Sequence, residues 1–257
     1  MASNITKLVL DTQFAINNSK TDPVWSLNRQ IDLVEGYCIS NFNGVNTLPN
    51  ISDRNDKFSF IEGLTNTSGT LYTTSNTITL PHGNYTIDSF IDMFNTQLNA
   101  SAGNVYTLTN NTLENLLTLT LSSVSSGNTQ NNFNIQQISN NIYYELGLTN
   151  QYLNTTLSQQ ITFPETYDLS GIQCLHLASS SFGYGYNKLA GNALNIVLSV
   201  PVDVAYMGQI NFHNESIFVS SDTNNLQTIQ LNLYDDRLRK INSDMRDWNI
   251  SLYIKSN

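Results

Sequence analysis

The sequence predicts an all-β (mainly) protein, a β sandwich that carries one small α+β insertion, and three observations lead there. Apolar and polar residues alternate at period two along most of the chain, the pattern of half-buried strands. Apolar residues make up 40% of the 257 residues, enough to build a substantial core in one large all-β domain or two small ones. A single segment, Ile87 to Leu98, switches clearly to a helical period.

Ile5 to Ile16 is rich in β formers and predicts a first strand, closed by the turn residues of Asn17 to Pro23. Trp25, Leu27, Ile31, Leu33, Tyr37 and Ile39 alternate with smaller or polar residues, as one long strand or a bent pair. Phe58 and Phe60 mark a short strand, and Ile78 and Leu80 another, stopped by Pro81, which has no N–H to donate. In the helix, Ile87, Phe90, Ile91, Phe94 and Leu98 share one face, with Asp88, Ser89, Asp92 and Asn95 opposite. Thr86 or Asn84 can cap it, and Asp88 suits the positive end of its dipole.

Tyr106 and Leu108, then Leu117, Leu119 and Leu121, form an expected hairpin turned at Asn110 and Asn111. Ser139 to Gly147 predicts a short second helix, with Ser139 or Asn140 as cap, Ile142, Tyr143 and Leu146 buried, and Gly147 as the stop. From Tyr167 the pattern is again strand. Ile172 to Ala178 is continuous enough to be central, Leu194 to Val202 alternates cleanly, and Ile229, Leu231 and Leu233 precede Trp248, Ile250, Leu252 and Ile254. Strands at this spacing with Gly, Asn and Asp turns predict a sandwich. The expected division is 1–80 and 160–257 for the sandwich and 81–159 for the insertion.

Charged residues are only 12% of the chain and the net charge is −9. An acidic chain lacks the basic face that phosphate binding requires, which argues against nucleic acid as a partner. Arg237, Arg239, Lys240 and Arg246 are interleaved with Asp235, Asp236, Asp244 and Asp247, so this stretch reads as a solvated, self-paired turn. No apolar run approaches the ~20 residues of a membrane span and no signal-like segment opens the chain, so a soluble, intracellularly made protein is expected. The sequons at Asn50, Asn66, Asn84, Asn154, Asn214 and Asn249 then carry little meaning. Cys38 and Cys174 are expected as buried free thiols.

Candidate chemistry is sparse. His82 lies in a Pro-His-Gly turn, His176 alternates with strand neighbours and should be satisfied within the sandwich, and His213 beside Asn211 and Asn214 reads as loop. No two of them have metal-ligand spacing. Asp235 and Asp236 read as a turn at a strand end rather than a calcium or glycosidase site. Gly183 to Gly191 fails the spacing of a nucleotide loop. No catalytic residue, cofactor or metal site is expected; His82 brought within reach of Asp235 or Glu145 would reopen catalysis. Tyr184 and Tyr186 could instead serve a carbohydrate-binding attachment protein, since tyrosine suits both sugars and protein interfaces.

The order of elements carries a resemblance. Ile78-Thr-Leu-Pro-His-Gly-Asn-Tyr-Thr-Ile87 with its helix, the hairpin, Tyr144-Glu-Leu-Gly-Leu148, Asp168-Leu-Ser-Gly-Ile172, and the closing strands with Leu233 to Asp236 and Trp248 resemble the penton, or minor capsid, proteins of virophages and polinton-like viruses. The resemblance implies a single jelly roll with an insertion between its strands, assembled as a homopentamer at the vertices of an icosahedral virion and made in the host cytoplasm. Its implied partners are copies of itself and the major capsid protein. The chain is too short for the two fused jelly rolls of a major capsid protein, and, as no basic N-terminal arm is seen in this sequence, contact with an encapsidated genome is not expected.

Overall fold

The computed structural model describes residues 4–66, 71–123, 128–148, 159–182, 194–214, 218–221, 223–242 and 245–257. The elements are β1 (Asn4–Asp11), β2 (Val24–Asp32), β3 (Val34–Val45), β4 (Lys57–Asn66), β5 (Leu71–Thr79), α1 (Ile87–Ser101), β6 (Val105–Asn111), β7 (Leu116–Ser123), β8 (Asn128–Gln136) and β9 (Gln160–Thr162). They continue with β10 (Cys174–Ser179), β11 (Ile196–Pro201), β12 (Gln209–His213), β13 (Val219–Ser220), β14 (Asn225–Tyr234) and β15 (Asn249–Ser256). The chain divides into two compact units, Met1–Leu48 with Ile172–Asn257, and Pro49–Gly171.

The first unit is a jelly roll by strand order. One sheet runs β1-β15-β3-β12, with β13 also on β3, and the other runs β11-β10-β14-β2, every pairing antiparallel. Counted within this unit, with β12 and β13 as one broken strand, the orders are first-eighth-third-sixth and fifth-fourth-seventh-second. The two inner faces share one core that includes Leu175, Leu177, Leu231, Leu233, Ile250 and Leu252. Trp25 and Trp248 meet edge to face within it, with ring centroids 6.0 Å apart.

The segment from Trp25 to Ile39 is a bent pair. Leu33 at φ 48° interrupts it, so β2 joins β14 in one sheet while β3 joins β15 in the other. The first strand stops at Asp11, short of Ile16, because the Asp11 side chain accepts from Gln13 N at 2.8 Å and caps a 3-10 turn over Thr12–Phe14. As expected, β10 is interior to its sheet.

The second unit has its own core around Phe58, Phe60, Phe90, Phe94, Phe133 and Leu146. It contains a β5-β4-β8 sheet, a β6-β7-β9 sheet and α1. Its bounds differ from the expected 81–159: it begins at Pro49 and ends at Gly171. The reason is pairing, since β4 lies between β5 and β8 and β9 adds to β7.

In α1, Thr86 is the cap. It forms a capping box with Ser89, and Phe90, Phe94 and Leu98 are buried. Asn95 is not on the solvent side: its amide donates to Leu108 O at 3.2 Å and accepts from Leu108 N at 2.7 Å. Asn99 does the same for Tyr106, at 2.9 and 2.7 Å. The two amides, one helical turn apart, satisfy the otherwise open edge of β6.

Two further expectations are corrected. Residues 139–147 form turns rather than a helix, because Asn140 takes φ 54° and the backbone there pairs with Lys57 through Lys57 N to Asn140 O and Ile142 N to Lys57 O, both 3.0 Å. Gly147 does end the segment at φ 76°. In the hairpin, β6 runs on through Asn111, and the left-handed residue is Asn115 at φ 54°.

Candidate functional site

His82 is exposed in its turn and pairs with Asp56, Nε2 to Oδ2 3.2 Å. His176, on β10, is half-buried and bonds Ser199 Oγ at 2.8 Å. His213 is not in a loop; it ends β12, opposite Asn41. Among the described residues no three His, Cys, Asp or Glu side chains gather as a metal site. Cys38 and Cys174 are both free, but only Cys38 is fully buried. Burial, with the Asp236 charge adding to it, pushes the Cys174 thiol above its ordinary pKa, away from the reactive thiolate.

Asp235 is fully buried rather than solvated. It accepts from Arg237 N at 3.0 Å and Arg239 N at 2.8 Å, and its other oxygen meets Arg239 Nε at 2.8 Å. Its carboxylate thus closes the turn after β14. Lys20 pairs with Asp247 and, being beside it, holds that carboxyl below the usual range. Lys240 pairs with Asp22 at 3.5 Å. Asp244, Tyr184, Tyr186 and the Gly183–Gly191 loop lie outside the described residues.

Glu62 is a buried polar group that sequence reasoning missed. Its side chain, fully buried, accepts from Asn76 Nδ2 (2.7 Å), Gly103 N (2.9 Å), Asn104 N (3.2 Å), Asn104 Nδ2 (3.3 Å) and Tyr106 Oη (2.9 Å). These bonds tie β4 to β5, to the end of α1 and to β6. The burial of Tyr106, followed by the facing Glu62 charge, raises the phenol's pKa and keeps it the donor. Glu62 is a structural joint; the signal for it was a lone acid at the centre of a β stretch.

The jelly roll's surface offers more than its polar interior. A groove of about 820 Å³ lies between β1 and β2, the edge strands of the two sheets, and is lined in part by Leu8, Leu10, Phe14, Trp25, Leu27 and Ile31. Ile5, Val9, Phe14 and Ile16 stand exposed beside it. At the opposite edge, the turn between β11 and β12 exposes Tyr206 and Met207. That turn is held by Asn46: Met207 N donates to its carbonyl at 2.6 Å, Asn46 N donates to Gly208 O at 2.9 Å, and Asn46 Nδ2 donates to Val204 O at 3.0 Å.

No protein-family model matches the chain, and no curated protein does. Among solved structures, the selenomethionine-labelled mavirus penton protein is similar at a TM-score of 0.45 and 10% identity, over 100% of both chains. The jelly-roll assignment rests on the strand order itself.

Proposed function

We propose that this protein is a structural capsid subunit, the vertex capsomer of an icosahedral virus, and that it works by shape and burial without turnover. The observation that supports it is the jelly-roll strand order with a separately cored unit set between β3 and β10, the arrangement implied by the sequence resemblance to virophage and polinton-like pentons. Jelly rolls recur in capsid and lectin domains. Against the lectin reading, the polar hollow beside β14 has Gln227 donating to Gln30 at 2.7 Å and Gln30 donating to Asp32, so these amides are already engaged with one another.

In this reading, copies join through a heterologous interface that closes into a ring of five, and the ring's outer sides meet the major capsid protein. Neutral Asn, Ser and Thr surfaces cost less to desolvate in such contacts than charges do. The test is the assembly state of the purified full chain by light scattering and negative-stain microscopy. Rings of five are expected. Monomers alone at high concentration, with no ring in stain, overturn the reading.

A further inference from the structure

We propose that the Tyr206–Met207 turn of one copy seats in the groove between β1 and β2 of the next, so that copies join head to tail. This names the contact within the capsomer reading above and rests on it.

The turn is built as a fixed projection. Met207 holds φ 67°, a conformation that costs an L side chain and is kept only where the surroundings impose it. Here Asn46 imposes it from both sides. Gly208 follows without a Cβ, which would lie 2.8 Å from Ala205 O and 2.9 Å from Val204 Cβ. The result sets two large apolar side chains in water, Tyr206 at 44% and Met207 at 49% exposed.

The groove has the converse form. It opens where the two sheets part, with Leu8, Leu27 and Ile31 only partly buried on its walls. The free side of β1 adds unpaired backbone and exposed Ile5 and Val9, an edge that other chains readily cover.

Charge selects a second copy as the occupant. Arg29 lines the groove, is exposed, and has no ion-pair partner among the described residues. Asp203, exposed three residues before Tyr206, has none either, and residues 201–221 contain no Lys or Arg. The apolar contact would carry affinity, and Asp203 facing Arg29 would set the register, since an exposed pair contributes little energy by itself. Because turn and groove lie on opposite edges of one sandwich, the contact is heterologous and repeats from copy to copy.

The test compares assembly of the full chain with that of four variants, by sedimentation velocity, with thermal melting as the check on folding. Met207→Gly removes the side chain while relieving the backbone, so Met207→Gly with Tyr206→Ala should melt no lower than wild type and yet assemble at least about tenfold more weakly. Asp203→Arg and Arg29→Glu should each weaken assembly, and the double exchange should restore it. If wild type forms rings and the turn variant forms them equally well, this contact is wrong and the ring reading stands. A monomeric wild type removes both.

Discussion

Tyr37 and Tyr143 are buried alike and bonded differently. Tyr37 is 1% exposed in the jelly-roll core, and its hydroxyl has no hydrogen-bond partner among the described residues while its ring stacks on Phe182 at 4.3 Å. Tyr143 Oη donates to Gln136 O and lies 3.3 Å from Ser59 O. Removing an unsatisfied hydroxyl should therefore stabilise the fold and removing a bonded one should cost it. Tyr37→Phe is expected to gain about 1 kcal/mol and Tyr143→Phe to lose about 1 kcal/mol in urea unfolding at neutral pH. Burial pushes both phenols up to about 12, partly opposed at Tyr143 by the Ser59 backbone bond. Between pH 10 and about 12 the unfolded tyrosines lose protons that the folded ones keep. Stability is thus full below pH 10 and falls towards pH 12, and Tyr37→Phe should make that fall shallower in the same titration.

At the scale of elements, what was legible followed from local period. The face of α1 and the alternation of Leu231 with Leu233 and Ile250 with Leu252 appear in the sequence because burial repeats with the backbone geometry, while the choice of Thr86 over Asn84 as the cap came from the structure. The pairing at Asn95 and Asn99 was not legible: asparagine on a helix ordinarily marks the wet face, and only the fold brings the β6 edge beside it. Asn99→Asp tests that pairing. It places a carboxylate oxygen where an amide N–H now donates to Tyr106 O, at 2.9 Å, and should cost about 1–3 kcal/mol, while Asn99→Gln, too long for the double bond, should fail to rescue it. Gly147, which ends the 139–147 turns, is fixed in place by its surroundings. At φ 76° an added Cβ would fall on the Glu165 carbonyl oxygen, whereas at Gly171, φ 81°, the nearest atom would be 3.7 Å away. Gly147→Ala should lower the melting temperature well beyond Gly171→Ala, whose penalty is the conformational term alone, about 1–2 kcal/mol.

At the scale of the whole molecule, the alternation in 57–80 looks the same whether those strands belong to the jelly roll or to the insertion, because sheet membership depends on a distant partner. The expected boundary at 81 missed Pro49 for that reason, whereas most jelly-roll strands on either side of the insertion were recognised by their own patterns, β12, read as loop at His213, and the short β13 being the exceptions. The division has a measurable consequence. The two apolar cores share no residue, and the chain's two tryptophans, Trp25 and Trp248, both lie in the jelly-roll core. Tryptophan emission therefore reports the jelly roll, and amide exchange in α1 reports the inserted unit. Ile250 is fully buried and Leu231 is 1% exposed, so an aspartate at either place puts a charge into the apolar core, a cost of several kcal/mol against a total stability of about 5–15 kcal/mol. Ile250→Asp or Leu231→Asp should shift the emission to that of solvated indole while α1 amides stay protected. Loss of both signals together would mean that the inserted unit depends on the sandwich for its fold.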